Sequence, residues 1–266
     1  MSKVVFITGA SSGIGKSIAS YLHSKNYKVY GTSRNPQKVD VPYHMVALDV
    51  TKEETIKTAI VEVIEKEGKI DVLINNAGKG ITGPIEDTPT EEMRDNFETN
   101  FFGVINVIKE VLPYMREQKQ GLVINTTSIA AYMGLPFRGI YSASKGALEL
   151  ITETLSMEVK AFGINVVNVA PGDFATNIAA GRYHTPVFES SAYKEKYAEN
   201  LALMDNHVDS GADPIQMAKK VQEIIENKNP KIHYKVGAFM EKFSIVLKRI
   251  LPDKVYEKLL MNHYKL

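Results

Sequence analysis

The sequence contains no cysteine, and its two signs of charge are nearly balanced. Without thiols the chain cannot form disulfides or thiolate metal sites, so we predict no metal centre and a reducing compartment, the cytoplasm. There are 32 basic and 31 acidic residues, which gives a formal net charge of +1. This balance does not call for a nucleic-acid partner, because nucleic acids bind strongly basic surfaces.

Long apolar runs are also missing. No stretch approaches the roughly 18 apolar residues of a membrane-spanning helix. The N-terminal apolar run, Val4 to Ile7, is too short for a signal peptide and stops at Thr8 and Gly9. We therefore expect a soluble chain with no membrane span, in which this run forms the first β-strand.

Short apolar runs instead alternate with longer stretches of helical periodicity. Runs rich in Val and Ile predict seven strands, at about residues 3–8, 28–33, 44–48, 70–75, 121–127, 164–170 and 231–236. Apolar residues at three- and four-residue intervals predict covering helices over residues 13–25, 52–67, 90–117, 141–161 and 212–227. The alternation predicts an α/β fold: one domain over residues 1–266, with a doubly wound, seven-stranded parallel sheet and helices on both faces.

Two segments stand outside this alternation. Residues from about 174 to 213 follow a strand end and mix glycines, aromatics and a polar helical stretch, which predicts a substrate lid. Residues from about 238 to 266 form a C-terminal helical extension in which apolar residues are interleaved with lysine and arginine. This extension packs on the body or on a second subunit, or alternatively it makes a peripheral membrane contact.

A glycine-rich turn follows the first predicted strand and precedes a helical pattern. Gly9 permits a tight turn, while Gly13 and Gly15 let backbone and helix approach a pyrophosphate, whose charge then meets the helix-terminal amides. The motif predicts a dinucleotide site at Thr8, Gly9, Ser11, Ser12, Gly13, Ile14 and Gly15. An ordinary glycine turn is the alternative interpretation of this motif alone.

The end of the second predicted strand indicates which dinucleotide binds. A carboxylate there would hold the ribose 2′-hydroxyl of NAD, but the chain has Ser33 and Arg34 and no acid until Asp40. Arg34 and Ser33 can instead bind a 2′-phosphate, so we predict NADP(H) as the cofactor. At the next strand end Asp49, before Val50, can accept a hydrogen bond from the adenine amine, or it can cap the following helix.

Four side chains predict the chemistry. Tyr141 and Lys145 are four residues apart in a predicted helix and leave the same face, and Ser128 follows a strand that ends at the same edge of the sheet. Hydride delivery to a carbonyl carbon creates an alkoxide, to which a phenol can give its proton, and a nearby ammonium favours the phenolate. Tyr141 is thus the predicted general acid/base, Ser128 the donor to the substrate oxygen, and Lys145 the group that tunes the phenol and holds the nicotinamide ribose. Asn100 is expected to bend its helix and to hold a water that connects Lys145 to solvent.

These motifs occur in order along almost the whole chain, which resembles the short-chain dehydrogenase/reductase family. The resemblance implies a Rossmann fold, a homodimer or homotetramer, and a catalytic tetrad of Asn100, Ser128, Tyr141 and Lys145. It further implies cofactor contacts from Asn76, Ala77 and Gly78 near the adenosine and from Pro171, Gly172 and Thr176 near the nicotinamide.

The segment between Ser128 and Tyr141 bears on the substrate. It contains Met133, Leu135 and Phe137, which can line a hydrophobic cleft or simply pack within a loop. The chain also looks similar to family members that act on steroids, retinoids and other hydrophobic alcohols or ketones. We therefore expect NADP(H)-dependent interconversion of an alcohol and a ketone or aldehyde on a hydrophobic small-molecule substrate.

Two other functions fit part of the sequence. The main alternative is a non-catalytic NADP(H)-binding sensor or interaction protein of the same fold, and a second is a methyltransferase of related fold. Neither needs the complete set of hydroxyl, phenol and ammonium groups, whose presence favours the oxidoreductase.

Overall fold

The computed structural model describes residues 2–175, 181–209 and 211–266. Its strands are β1 (Val4–Ile7), β2 (Lys28–Ser33), β3 (His44–Ala47), β4 (Val72–Asn75), β5 (Ile81–Thr82), β6 (Gly121–Thr126), β7 (Ile164–Pro171), β8 (Tyr183–His184) and β9 (His233–Val236). Seven of them form one parallel sheet in the order β3-β2-β1-β4-β6-β7-β9. The short strands β5 and β8, which the sequence did not predict, pair with each other.

Helices cover both faces of this sheet. They are α1 (Gly13–Ser24), α2 (Glu53–Glu67), α3 (Thr90–Phe97), α4 (Gly103–Gln118), α5 (Gly139–Glu158), α6 (Lys194–Asp209), α7 (Ile215–Glu226), α8 (Phe239–Ile250) and α9 (Asp253–His263). Apolar side chains of α2, α4 and α5 form the core on one face, and those of α1 and α7 form the core on the other. The predicted doubly wound α/β fold is confirmed.

The central strand β1 explains why the strands are apolar throughout. Val5 and Ile7 belong to the core beneath α1 and α7, whereas Phe6 between them belongs to the core beneath α2 and α4. Successive side chains of a strand point to opposite faces of the sheet. A strand that is covered on both faces therefore has no position at which a polar residue reaches water.

The single helix predicted over residues 90–117 is interrupted at Asn100. A π-helical turn over Glu98–Phe102 separates α3 from α4. The Asn100 side chain donates to the Lys79 carbonyl and accepts from the Lys79 N–H, each at 2.9 Å. The carboxamide thus binds both backbone polar groups of one residue, and the local bend expected at Asn100 is present. Such π turns are frequent at functional sites.

The C-terminal extension packs beside the end of β6. Ile245 of α8 and Tyr256 of α9 are buried in a small cluster with Ile129 and Met133, which lie just beyond that strand. The extension therefore touches the edge of the sheet where the strands end. Within the described ranges, no helix is both long enough and apolar enough to cross a membrane.

Two glycines with the same backbone conformation allow a matched test of the close approach at the sheet edge. Gly9 has a φ of +68° and Gly68, at the end of α2, a φ of +72°. A Cβ on Gly9 would stand 2.8 Å from Ala77 Cα, whereas a Cβ on Gly68 would meet nothing within 4 Å. Gly68→Ala should cost about 1–2 kcal/mol of unfolding free energy, because an L-residue is strained at positive φ.

Gly9→Ala should cost a further ~1–3 kcal/mol, because backbone must move to admit the methyl group. Urea unfolding of the two variants and the wild type measures both losses. Equal losses of unfolding free energy for the two variants would mean that the close contact between the glycine turn and the segment after β4 does not contribute to stability.

Candidate active site

Five residues predicted from the sequence border one cleft at the carboxyl edge of the sheet. They are Ile14, Ser128, Tyr141, Pro171 and Gly172. The cleft has an empty volume of about 560 Å³, including the part that is open to solvent. Because the strand order reverses between β1 and β4, this edge is the place where open α/β sheets bind ligands.

The glycine turn after β1 lies directly against the segment after β4. A Cβ on Gly15 would overlap the Gly9 carbonyl oxygen and approach the Asn76 side chain. Thr8 Oγ1 accepts hydrogen bonds from the N–H groups of Asn76 and Ala77, each at 3.0 Å. In return Asn76 Nδ2 donates to the carbonyls of Thr8 at 3.2 Å and Gly9 at 3.0 Å. Thr8 and Asn76 therefore hold the turn in shape from behind.

The start of α1 fits the pyrophosphate of a dinucleotide. Ser11 lies in the turn, and Ser12 is the N-cap residue of α1 with extended backbone, φ −155°. In the part of the chain that the structure describes, the Ser12 side chain makes no capping hydrogen bond to this helix end, and the first turn contains no acidic residue. The first amides of a helix have no partner within the helix and carry partial positive charge, which favours a phosphate. The charge of this helix end suits a pyrophosphate, and its close approach through Gly13 and Gly15 stays a prediction.

Ser33 and Arg34 lie at the end of β2, beside this turn. The Ser33 hydroxyl oxygen is buried and has no hydrogen-bond partner among the residues that the structure describes, whereas the Arg34 side chain is exposed. A buried hydroxyl without a partner is costly and is satisfied once a ligand oxygen binds it. Together these two residues offer a hydroxyl and a cation to a phosphate at this position.

Asp49 and Val50 have local structural partners at the end of β3. Asp49 Oδ1 accepts from the Thr51 N–H at 3.0 Å and the Thr51 hydroxyl at 2.8 Å. Partial burial opposes ionisation of Asp49, but the bonds from Thr51 and the nearby charges of Arg34 and Lys52 outweigh it and lower the pKa of the carboxyl. Val50 is buried in the core. The cap of α2 is Lys52, so Asp49 forms a turn before the helix and does not cap it.

Lys145 and Asn100 meet around Gly78 behind the cleft. Lys145 Nζ donates to the Thr126 carbonyl at the end of β6, at 2.9 Å. A Cβ on Gly78 would stand 3.0 Å from Asn100 Oδ1 and 3.4 Å from Lys145 Nζ, so a side chain at this position would crowd the Asn100 carboxamide. The Lys145 side chain is 4% exposed, and this burial lowers the pKa of its ammonium from 10.5 to about 8.

Ser128 and Tyr141 lie in front of this buried pair, on the wall of the cleft. Ser128 Oγ accepts from the Ala130 N–H at 3.2 Å and so caps the short helical turn after β6. A hydroxyl that accepts in this way can still donate its own hydrogen. Tyr141 stands in the first turn of α5, and the Arg138 guanidinium carbon is 5.7 Å from the centre of its ring. The four candidate residues thus converge on one edge of the sheet from β6, α5 and the π turn.

The comparison with known proteins agrees with this geometry. A model of the short chain dehydrogenase family matches residues 3–186. The chain belongs to the short-chain dehydrogenase family. Membership makes it an oxidoreductase of alcohol and carbonyl groups and supports a nicotinamide cofactor. The alternative of a methyltransferase is therefore discarded.

Relatives match over nearly the full length. A 3-ketodihydrosphingosine reductase of Bacteroides thetaiotaomicron is 38% identical over 98% of both chains. An NADPH-dependent 3-dehydrocapnine reductase of Ornithobacterium rhinotracheale is 31% identical over 97% of this chain and 96% of the relative. Among solved structures, a short-chain dehydrogenase from Streptomyces avermitilis superposes with a TM-score of 0.83 and 30% identity, covering 99% of this chain and 97% of that one.

Three apolar residues expected to line the substrate cleft of this family member contact other parts of the molecule instead. Met133 is buried against the C-terminal helices, where the Tyr256 hydroxyl lies 2.8 Å from its sulfur, and Leu135 packs on the same cluster. The Phe137 ring lies 5.4 Å from that of Tyr197. These contacts are those of loop packing, and a part for the three residues in substrate binding stays a prediction. Thr176, expected beside the nicotinamide, lies outside the described residues.

Several charged groups of the cleft were not foreseen. Arg138, Asp173 and Arg182 line it together with Ser128 and Tyr141. Arg138 precedes α5 and also hydrogen-bonds the Tyr264 side chain near the C-terminus. Arg182 belongs to the segment predicted as a lid, and Asp173 lies directly before that segment. No local pattern marks these residues, because each reaches the cleft only through tertiary contacts.

Glu241 of α8 is a further residue that sequence reasoning missed. Its carboxylate accepts from the Asp173 N–H at 2.8 Å and from the Ala238 N–H at 2.7 Å. A Cβ on Gly172 would overlap this carboxylate. The C-terminal extension therefore holds the segment after β7, which borders the cleft, and glycine at position 172 leaves room for the Glu241 carboxylate.

The buried ammonium predicts that Lys145 destabilises the fold at neutral pH. With a folded pKa of about 8 against 10.5 unfolded, the folded chain binds fewer protons between these values, so stability rises with pH across this window. Lys145→Met should raise the unfolding free energy below pH 8 by ~2 kcal/mol. Removing the buried charge should stabilise the fold by about 3 kcal/mol, which is the energy equivalent of the pKa shift. Losing the hydrogen bond to the Thr126 carbonyl should cost about 1 kcal/mol. Above pH 10.5 the gain should vanish.

Urea unfolding at pH 7 and at alkaline pH measures this gain. Lys57→Met is the control, because Lys57 is exposed on α2 and its removal should give no gain that varies with pH. A Lys145→Met variant that is less stable than the wild type at pH 7 would show that burial of the ammonium carries no penalty.

Proposed function

We propose that this protein is an NADP(H)-dependent oxidoreductase that interconverts a ketone and a secondary alcohol on a long-chain, lipid-like substrate. The observation that carries the proposal is the position of Ser128 and Tyr141 on one cleft wall, with Lys145 directly behind it and the glycine turn at the same sheet edge. A non-catalytic protein of this fold would have no need to bury an ammonium group there.

The residues divide the chemistry between them. The reduced nicotinamide, when bound, supplies a hydride to the carbonyl carbon. Ser128 donates a hydrogen bond that orients the carbonyl oxygen, and Tyr141 gives its phenolic proton to that oxygen as negative charge develops. Lys145 stabilises the resulting phenolate with its ammonium charge. For alcohol oxidation the same groups act in reverse, and Tyr141 accepts the proton.

Asn100 acts through position. Its carboxamide binds both backbone groups of Lys79 and opens the helix into the π turn. We assign to Asn100 the placement of Gly78 against the Lys145 ammonium. The proposal also includes a water, held by Asn100, that links this ammonium to solvent.

The finer choice of NADP(H) over NAD(H) rests on the end of β2. Arg34 is exposed there and Ser33 presents an unpartnered hydroxyl, while the carboxylate that would bind an NAD ribose is missing from this position. A relative that is 31% identical is named as NADPH-dependent. The cellular NADPH pool would then favour reduction of the ketone.

The substrate class rests on the relatives and on the cleft walls. Two relatives are named as reductases of 3-ketodihydrosphingosine and of 3-dehydrocapnine. The cleft combines apolar Ile81 and Phe174 with charged Arg138, Asp173 and Arg182. This mixture suits a ketone that lies between an alkyl chain and a polar head, and it favours the lipid-like substrate over a steroid or retinoid.

A homodimer or homotetramer built on α4 and α5 is also part of the proposal. Leu150 and Met157 on α5 are exposed apolar residues of the kind that subunit interfaces cover.

Replacing Tyr141 with Phe tests the catalytic assignment, since it removes only the hydroxyl. Reduction of 3-ketodihydrosphingosine with NADPH should fall by at least about 100-fold, because general acid–base catalysis contributes ~10²–10⁴. NADPH affinity in a fluorescence titration should stay unchanged. Tyr114→Phe on α4, away from the cleft, is the matched control.

The same assay, followed by loss of cofactor absorbance, compares a long-chain ketone, a steroid ketone and a polar keto sugar. Turnover confined to the sugar would reject the lipid-like substrate, whereas full activity of Tyr141→Phe would reject the acid/base.

Coenzyme choice is tested by Arg34→Ala. The KM for NADPH should rise about 10- to 100-fold, since a hydrogen bond to a charged group is worth about 1.5–3 kcal/mol, and the KM for NADH should change little. Lys38→Ala, an exposed cation four residues further along the same loop, is the control. An equal loss of NADPH and NADH binding would indicate that Arg34 supports the loop and does not read the 2′-phosphate.

A further inference from the structure

The C-terminal extension holds an unusual share of the exposed apolar surface. Of the 17 large hydrophobic residues that are exposed in the described ranges, nine lie between residues 239 and 266. They are Phe239, Met240, Phe243, Val246, Ile250, Val255, Leu259, Met261 and Leu266. Contiguous apolar surface of this kind marks a binding face.

Most of these side chains on α8 form one stripe. Phe239, Phe243, Val246 and Ile250 recur at intervals of four, three and four residues, which places them on one side of the helix. Phe239 is 72% exposed and Ile250 67% exposed, and the rings of Phe239 and Phe243 stack with centroids 5.6 Å apart.

The other side of α8 faces the body of the protein. Ile245 is buried in the cluster with Met133 and Tyr256, and Glu241 bonds the Asp173 backbone. The inner face of α8 is therefore already packed, and the stripe points outward, away from the body of the protein. Its apolar residues are not needed to hold α8 in place.

The charge of this region matches an anionic surface. Residues 239–266 contain six lysines and arginines and three acidic residues, so they carry three excess positive charges, whereas the remainder of the chain has 26 basic and 28 acidic residues. One of the three acids is Glu241, which is turned toward the body. Lys242 and Arg249 lie beside the apolar stripe on α8, which is the arrangement of a helix that lies in a bilayer interface. Lys248 lies on the other side of the helix, where it pairs with Asp253.

The extension also borders the catalytic cleft. The Tyr264 side chain hydrogen-bonds Arg138, and Glu241 holds Asp173; both Arg138 and Asp173 line the cleft. A surface on which α8 docks would thus lie close to the cleft.

We propose that α8 and α9 bind the chain peripherally to an anionic lipid bilayer, with Phe239, Phe243, Val246 and Ile250 inserted among the headgroups and acyl chains. The proposal needs no particular substrate and stands apart from the redox assignment. The alternative is that a second copy of the chain binds the same stripe, and the experiment below distinguishes this from membrane binding.

Co-sedimentation of the full chain with vesicles tests the proposal. Binding is expected to vesicles of phosphatidylcholine and phosphatidylglycerol, to be much weaker on phosphatidylcholine alone, and to fall as salt is added, because screening weakens the attraction of lysine and arginine to anionic lipid. Phe239→Ser should lower the partition coefficient about tenfold or more, given the apolar area that a phenylalanine side chain buries. Ile85→Ser is the matched control, because Ile85 is 66% exposed outside the extension and should leave binding unchanged.

Two further readouts decide between the occupants. Turnover of a water-soluble ketone without vesicles should be the same for the wild type and Phe239→Ser. Equal turnover shows that the variant folds, and it makes the membrane test independent of the test of the catalytic residues. Sedimentation equilibrium gives the oligomeric state of both proteins. A wild type that stays in solution with anionic vesicles overturns the proposal, as does a Phe239→Ser variant that binds equally well. A wild-type dimer that Phe239→Ser converts to monomers, without vesicle binding, assigns the stripe to a second copy.

Discussion

A buried ammonium group connects the elements of the candidate active site. Lys145 Nζ, in the second turn of α5, donates to the last carbonyl of β6 and lies against Gly78, which follows β4. A charge of this kind is costly to bury, so its surroundings must be fixed before it is tolerated. The π turn at Asn100 and the glycine at position 78 supply that fixed environment. The fold therefore holds the Lys145 ammonium in place although this group does not stabilise it.

The same edge of the sheet depends on close backbone approach. Gly9 and Gly15 let the first turn touch the segment after β4, and Thr8 and Asn76 bond the two segments together. These contacts fix the turn before any cofactor binds. A turn fixed in this way presents the amides of α1 without the entropy cost of ordering them on binding.

The C-terminal extension completes the cleft from outside the sheet. Glu241 of α8 bonds Asp173, and Tyr264, which follows α9, bonds Arg138; both partners lie on the cleft wall. Met133, which lies between Ser128 and Tyr141 in the chain, is buried beneath the same helices. The extension thus supports the segment between Ser128 and Tyr141, while its outer face stays apolar and basic.

The sequence by itself determined the seven strands of the main sheet, most of the covering helices, the glycine turn and the spacing of Tyr141 and Lys145 by one helical turn. These features follow from periodicity and short spacing, which are local properties of the chain. Tertiary structure alone decided that Met133 and Leu135 pack on the C-terminal helices, that Phe137 contacts Tyr197, and that Arg138, Asp173 and Arg182 line the cleft. The partner of Glu241 lies 68 residues away in the chain, and no spacing rule reaches that far. Which side chains share a surface depends on how helices dock on the sheet, and docking is set by the packing of whole faces.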